Sequence, residues 1–177
     1  MGLYLYRLIG AAMLDAGMYE GIEADRTTTV QAGMTVLLAS LAAGIGAGGW
    51  YGVHPLTLVA VSLVAGIAWV IWAVLIFHIG VHVLPSPQTN VTLGELLRTT
   101  GFATVPGLVL VLAMVPGLSA IVFGAAGLWM LATVVVAVEH ALDYESPWRA
   151  MAVCLIAVSI VMGLAAILGV VWGPTLS

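Results

Sequence analysis

The chain has 177 residues, of which 63% are hydrophobic and only 7% charged, with a formal net charge of −4 and a mean hydropathy of +1.19. These values lie far outside the range of water-soluble domains and exclude a soluble globular core. The charged residues sit in three short islands, Arg7 to Arg26, Glu95 to Arg98 and Glu139 to Arg149, separated by charge-free runs that reach 68 residues between Arg26 and Glu95. Backbone groups in hydrocarbon must be satisfied within each segment, so the long runs predict an all-α fold. The expected architecture is a polytopic membrane helical bundle of five transmembrane helices (residues 27–177) behind a short N-terminal interfacial helix and acidic segment (residues 1–26).

Residues 3–16 mix Leu, Tyr, Ile and Met with Arg7 and Asp15, which predicts one short helix lying in the interface plane. The apolar run from Leu8 to Leu14 is too short for a secretory signal, and Tyr6 stands where N-myristoylation needs Ser or Thr. Glu20, Glu23 and Asp25 then precede the first span, roughly 28–48, where Thr28-x-x-Gln31 predicts a capping box. Within that span Ser40, Gly44 and Gly48 recur every four residues beside Ala39, Ala43 and Ala47, a small-residue face suited to close helix packing. Gly44 to Gly49 matches a dinucleotide fingerprint in letters only, because no strand precedes it.

The second span, roughly 56–83, ends in His78 and His82, four residues apart and on one helical face. A Pro-punctuated loop follows, and Thr92-x-x-Glu95 predicts a second capping box. Asn90-Val91-Thr92 is a glycosylation sequon that reports topology. The third span, roughly 99–115, carries Pro106-Gly107, which predicts a kink; Pro106 is a candidate hinge, with plain packing of a kinked helix as the alternative. Pro116-Gly117 makes a tight turn into the fourth span, roughly 118–141, which ends in the dense polar run Glu139 to Glu145. The fifth span, roughly 150–172, holds Cys154, the sole cysteine, so no intrachain disulfide forms.

Arg7, Arg26, Arg98 and Arg149 all fall on one face of this topology, which predicts a cytoplasmic N-terminus and an external C-terminus. Trp50, Tyr51 and Trp172 are expected at the outer interface, Tyr144 and Trp148 at the inner one. His78, His82, Glu139 and His140 have the donor types of a divalent-metal site, yet inner helix ends carry polar residues in any case, so no metal is assigned. Asp143 is expected to face Arg149 or Arg98. No ionisable residue falls near mid-span, where pumps and proton relays place theirs. Trp69, Trp72 and Trp129 do lie near mid-depth, as core packing or as the lining of a groove for lipid. No nucleophile elbow, zinc-protease motif or P-loop occurs, and the expectation is a chain without enzymatic activity, cofactor or nucleic-acid partner.

The stretch from Gly94 to about Leu155 carries Arg98, Gly101-Phe102-Ala103, Pro106, Pro116, Trp129, Ala141-Leu142-Asp143-Tyr144 and Arg149-Ala150. On these residues, about a third of the chain, it resembles the Yip family, the Ypt/Rab-interacting five-span membrane proteins, in its short bacterial form. The resemblance is to the membrane part alone and does not carry over the Rab-binding role of eukaryotic members. It implies a non-enzymatic scaffold, assembly factor or modulator of membrane organisation that acts through its inner face. Arg98, Asp143, Tyr144 and Arg149 would be the contact or structural residues there, and the partners would be the lipid bilayer with a membrane protein or a second copy. High Ala, Gly and Val without Lys points to a bacterial cytoplasmic membrane. The competing expectation is a small transporter or channel, with Pro106 as hinge and His78, His82, Glu139 and His140 as its inner ion site.

Overall fold

The computed structural model describes residues 2–48 and 52–172, and every regular element among them is helical. In chain order these are α1 (Gly2–Ala12), α2 (Ala16–Ala24), α3 (Thr28–Gly48), α4 (Pro55–His78), α5 (Leu93–Phe102), α6 (Ser119–Ala141) and α7 (Pro147–Trp172). A π-helical turn, Ile79–Val83, extends α4, and a 3-10 segment, Val105–Met114, extends α5. Five stretches are long and apolar enough to cross a membrane: Thr28–Gly48, Pro55–Val83, Leu93–Met114, Ser119–Ala141 and Pro147–Leu164. The protein is an all-α integral membrane bundle. The charged islands gather at one end of it, where Arg98 bonds Glu23, Arg7 bonds Asp25 and Gln88 bonds Glu145. Trp50 and Tyr51, expected at the opposite interface, lie outside the described residues, as does the Trp172 side chain.

The N-terminal segment differs from expectation. In place of one interfacial helix, α1 and α2 form a helical hairpin packed on the bundle. Asp15 ends the first and caps the second, its carboxylate accepting Met18 N–H at 3.1 Å. Asp15 N–H reaches Gly10 O at 3.0 Å and Leu14 N–H reaches Ala11 O at 3.2 Å, a Schellman closure that puts Leu14 at φ +60°. α1 crosses the flank of the bundle. Tyr4 donates to Thr35 Oγ1 at 2.9 Å, because the Thr35 proton is already on Gln31 O, and Trp129 Nε1 donates to Ala12 O at 2.8 Å. Thr35 and Trp129 are seven and twelve residues from the charged ends of α3 and α6, about 10 and 18 Å down those helices, well below an interface plane at the helix ends. The box expected at Thr28 is also absent. Gln31 accepts from Arg7 at 3.2 Å, and the Thr28 hydroxyl turns back to Ile22 O and Asp25 O.

The third span is not a kinked α-helix but an α-helix that becomes a 3-10 helix. Pro106 has no N–H and biases Val105 away from the α region, so α5 ends at Phe102 and Gly107 N–H takes the i−3 carbonyl of Thr104 at 2.9 Å. Ala103 O is left without a backbone donor, and the buried Thr133 hydroxyl of α6 supplies one at 2.7 Å. Pro106 therefore marks a joint whose freed carbonyl is satisfied from outside its own helix. The 3-10 rise of about 2.0 Å per residue also lets this short segment reach across the ~30 Å hydrocarbon core from Arg98.

A seam of small residues locks that joint to α3. Ala32, Ala39 and Gly46, two α turns apart, meet Gly101 at the end of α5 and Gly107 and Ala113, two turns apart in the 3-10 segment. An added Cβ on Gly46 would fall 2.0 Å from the Leu110 carbonyl oxygen, so backbone meets backbone there. The predicted small-residue face is thus shared: Ala39 serves this seam, while Gly44 abuts Leu58 of α4.

Candidate functional site

Six of the eight acidic residues converge on one concave bowl of about 790 Å³ at the charged end. α2 supplies Glu20 and Glu23, α5 supplies Glu95, α6 supplies Glu139 with His140, and the turn after α6 supplies Asp143 and Glu145. Gln88, Asn90 and Tyr144 complete the wall. The predicted second capping box is formed, with Thr92 N–H on Glu95 Oε2 at 2.6 Å and Glu95 N–H on Thr92 Oγ1 at 3.3 Å, and it fixes Glu95 at the rim.

A proline and a helix end position the remaining wall. Pro85 cannot donate to Gly80 O, and Leu84 N–H is taken by Ile79 O at 2.9 Å in the π turn. The hydroxyl of Tyr144 fills the gap, donating to Leu84 O at 2.8 Å and to Gly80 O at 3.4 Å. Tyr144 is therefore buried, not the exposed interfacial ring expected from sequence, and burial raises its phenol above the ordinary value. Its position follows from a second Schellman closure, Tyr144 N–H to Glu139 O at 3.0 Å and Asp143 N–H to His140 O at 3.1 Å, with Asp143 at φ +51°. Thr89 pins the facing loop by donating to Leu142 O at 2.9 Å, and Gln88 donates to Glu145 at 3.0 Å.

Arg98 is the cation built into this end. Its buried guanidinium donates from Nε to Glu23 O at 2.9 Å and from a terminal nitrogen to the same carbonyl, and it stands 4.0 Å from Glu95. That single cation does not balance the carboxylates. Burial, with Glu95, Asp143 and Glu20 nearby, pushes the Glu23 carboxyl up to about 7 against the pull of Arg98. Outside the bowl Asp25 is paired: it accepts from Thr27 and from Arg7 at 2.6 Å, which holds its carboxyl down at about 2. On the inner wall the Tyr19 ring lies parallel to His140, centroids 6.5 Å apart, and its hydroxyl donates to Ala11 O at 3.1 Å.

The four candidate metal ligands are not brought together. Glu139 and His140 line the bowl, whereas His78 and His82 are exposed, stacked on each other at 5.6 Å, each Nδ1 on the carbonyl four residues back. Among the described residues no three His, Cys, Asp or Glu side chains gather to hold a metal ion. Asp143 makes no ion pair with Arg98 or Arg149; among the described residues the ion pairs are Arg7–Asp25 and Arg98–Glu95, and Arg149 is exposed. Of the residues expected at this face, Asp143 and Tyr144 line the bowl and Arg98 is engaged beside it on the Glu23 carbonyl. Sequence reading gives Glu20, Glu23, Glu95 and Glu145 no part in a site, although the i, i+3 spacing of Glu20 and Glu23 marks one face of a helix. Compared with family models, curated proteins and solved structures, the chain gives no match.

Proposed function

We propose that this protein is a non-enzymatic, Yip-like membrane organiser that uses the acidic bowl to dock a basic segment of a membrane-associated partner, as a scaffold or assembly factor. On this reading the bowl faces the cytoplasm of a bacterial cell, the N-terminus lies inside and the C-terminus outside. The observation that carries it is the convergence of six carboxylates from three separate stretches of chain on a 790 Å³ concavity with one engaged arginine. Such a surface attracts and orients positive charge over roughly a Debye length of ~10 Å, and it favours partners over small ions because no metal-holding geometry accompanies it. Transport is less well supported, since the candidate ion ligands are divided between the bowl and the exposed side of α4.

A photo-crosslinking residue at Asn90, on the bowl wall, tests the proposal in native membranes. A partner should be captured, capture should weaken with added salt, and Glu139→Gln with Asp143→Asn and Glu145→Gln should abolish it. Capture that is equal in the neutralised variant, or absent in the native protein, contradicts the proposal.

A further inference from the structure

A second cavity, of about 710 Å³, lies at mid-depth between α3, α4, the 3-10 segment, α6 and α7. Its lining is apolar except for Ser40, Thr100 and Thr104, and each of these hydroxyls donates to a carbonyl of its own helical stretch, Leu37, Leu96 and Gly101. A buried water needs roughly two to four polar partners, and an ion needs more, so these walls suit hydrocarbon.

The cavity is held open. Trp69 Nε1 donates to Thr100 Oγ1 at 3.2 Å, and the indole lies against Gly33 and Gly101, where an added Cβ would stand 3.8 and 3.1 Å away. Wedged there, the ring braces α4 against α3 and α5 at one side of the cavity, and Ala43, Ala65 and Ala68 line its open volume. The mouth is lateral. Val61, Ala68, Ile71 and Val161 line the cavity and are also exposed on the bundle surface, within membrane-spanning segments. The molecules that meet this mouth are the acyl chains of the bilayer.

We propose that this cavity is a lateral binding site for one acyl chain of a bilayer phospholipid, which enters between α4 and α7 and lies along Trp69 and Trp72. Left empty, the lining forfeits its dispersion contacts on that side. The volume is of the size that holds a flexible apolar ligand, about 300 to 1,000 Å³. A helix from a second copy is too thick: about 10 Å across, it needs more than roughly 1,000 Å³ along the ~16 Å from Val61 to Trp72. The site is independent of the acidic bowl and rests only on the membrane-spanning bundle.

The full chain, reconstituted in phosphatidylcholine vesicles doped with a phosphatidylcholine bearing a diazirine at mid-chain, gives the test by irradiation and mass-spectrometric mapping. Adducts are expected on Trp69, Trp72 and Val161 in excess over Leu63 and Val64, which are 61% and 64% exposed and do not line the cavity. Ala65→Phe with Ala68→Phe fills the cavity and should lose those adducts, while Val64→Phe keeps them. Labelling that simply follows exposure along α4, labelling unchanged in the filled variant, or crosslinks at these positions to a second copy would each overturn the proposal. Should the filled variant not fold, the adduct map of the native protein decides alone.

Discussion

At the charged end, α4, α5, α6 and α7 close around a core of Ile76, Leu96, Val138, Leu142 and Val153, and hydroxyls from Tyr144, Thr133 and Thr89 bond carbonyls of other segments. At the opposite end α7 stands apart. Every described side chain from Val158 to Ile167 is exposed, and the polar Ser159 bonds only its own helix, at Leu155 O. The contrast follows from the solvent. Lipid tails are as apolar as the side chains, so burial does not drive these helices together, and specific contacts, small-residue seams and satisfied carbonyls must do so. Where the chain supplies such contacts the helices close, and where it supplies only Val, Leu and Ile they are left to lipid.

Breaking the close-packed part should therefore cost far more than altering the open part. Gly46→Leu drives a side chain into the Leu110 carbonyl and should lose about 3 kcal/mol or more, or fail to fold, whereas Gly127→Ala and Gly163→Ala, with nothing within 4 Å, should leave unfolding in detergent unchanged or slightly raised. Thr133→Val orphans the Ala103 carbonyl and Tyr144→Phe the Leu84 carbonyl, and each should cost about 1 to 3 kcal/mol in the same assay. Equal losses from Ser159→Ala, whose hydroxyl serves only its own helix, would erase the distinction between the two ends.

The hairpin sharpens the comparison through pH. Glu23 sits at about 7 in the folded protein against an ordinary 4.5, so the docked α2 keeps a proton that a released α2 gives up between those values. The Glu23 contribution to docking is therefore full below about pH 4.5, weakens as pH rises to about 7, and is gone above. The carboxyl is half exposed, which limits the loss to about 1 kcal/mol, and Glu23→Gln should remove the pH dependence of the melting temperature over that window. A smaller effect is expected at Leu14, held at φ +60° where a Cβ is strained: Leu14→Gly should gain up to about 1 kcal/mol.

Much of this architecture is legible from residues alone. Charge-free runs mark the spans, and Thr92 with Glu95 marks a helix start that forms as written. What escapes sequence reading is what depends on contact between distant segments. The hairpin is set by Asp15 serving as a cap and by Arg7 taking Gln31 and Asp25 as partners. The 3-10 continuation after Pro106 needs the Thr133 hydroxyl and the seam on α3 to be preferred over a kinked α-helix. The bowl needs Glu20, Glu95 and Glu139 to meet, which no local spacing encodes. The candidate metal ligands stay apart for the same reason: His78 and His82 share a face, but packing turns that face outward.

The charged islands share one surface of a five-span bundle. Single cysteines at Asn90, Glu145 and Ser119, in a Cys154→Ala background, probed in intact membranes with an impermeant maleimide, test this most directly. Asn90 and Glu145 should react from one compartment and Ser119 only from the other. Reaction of Asn90 and Ser119 from the same side would contradict the account.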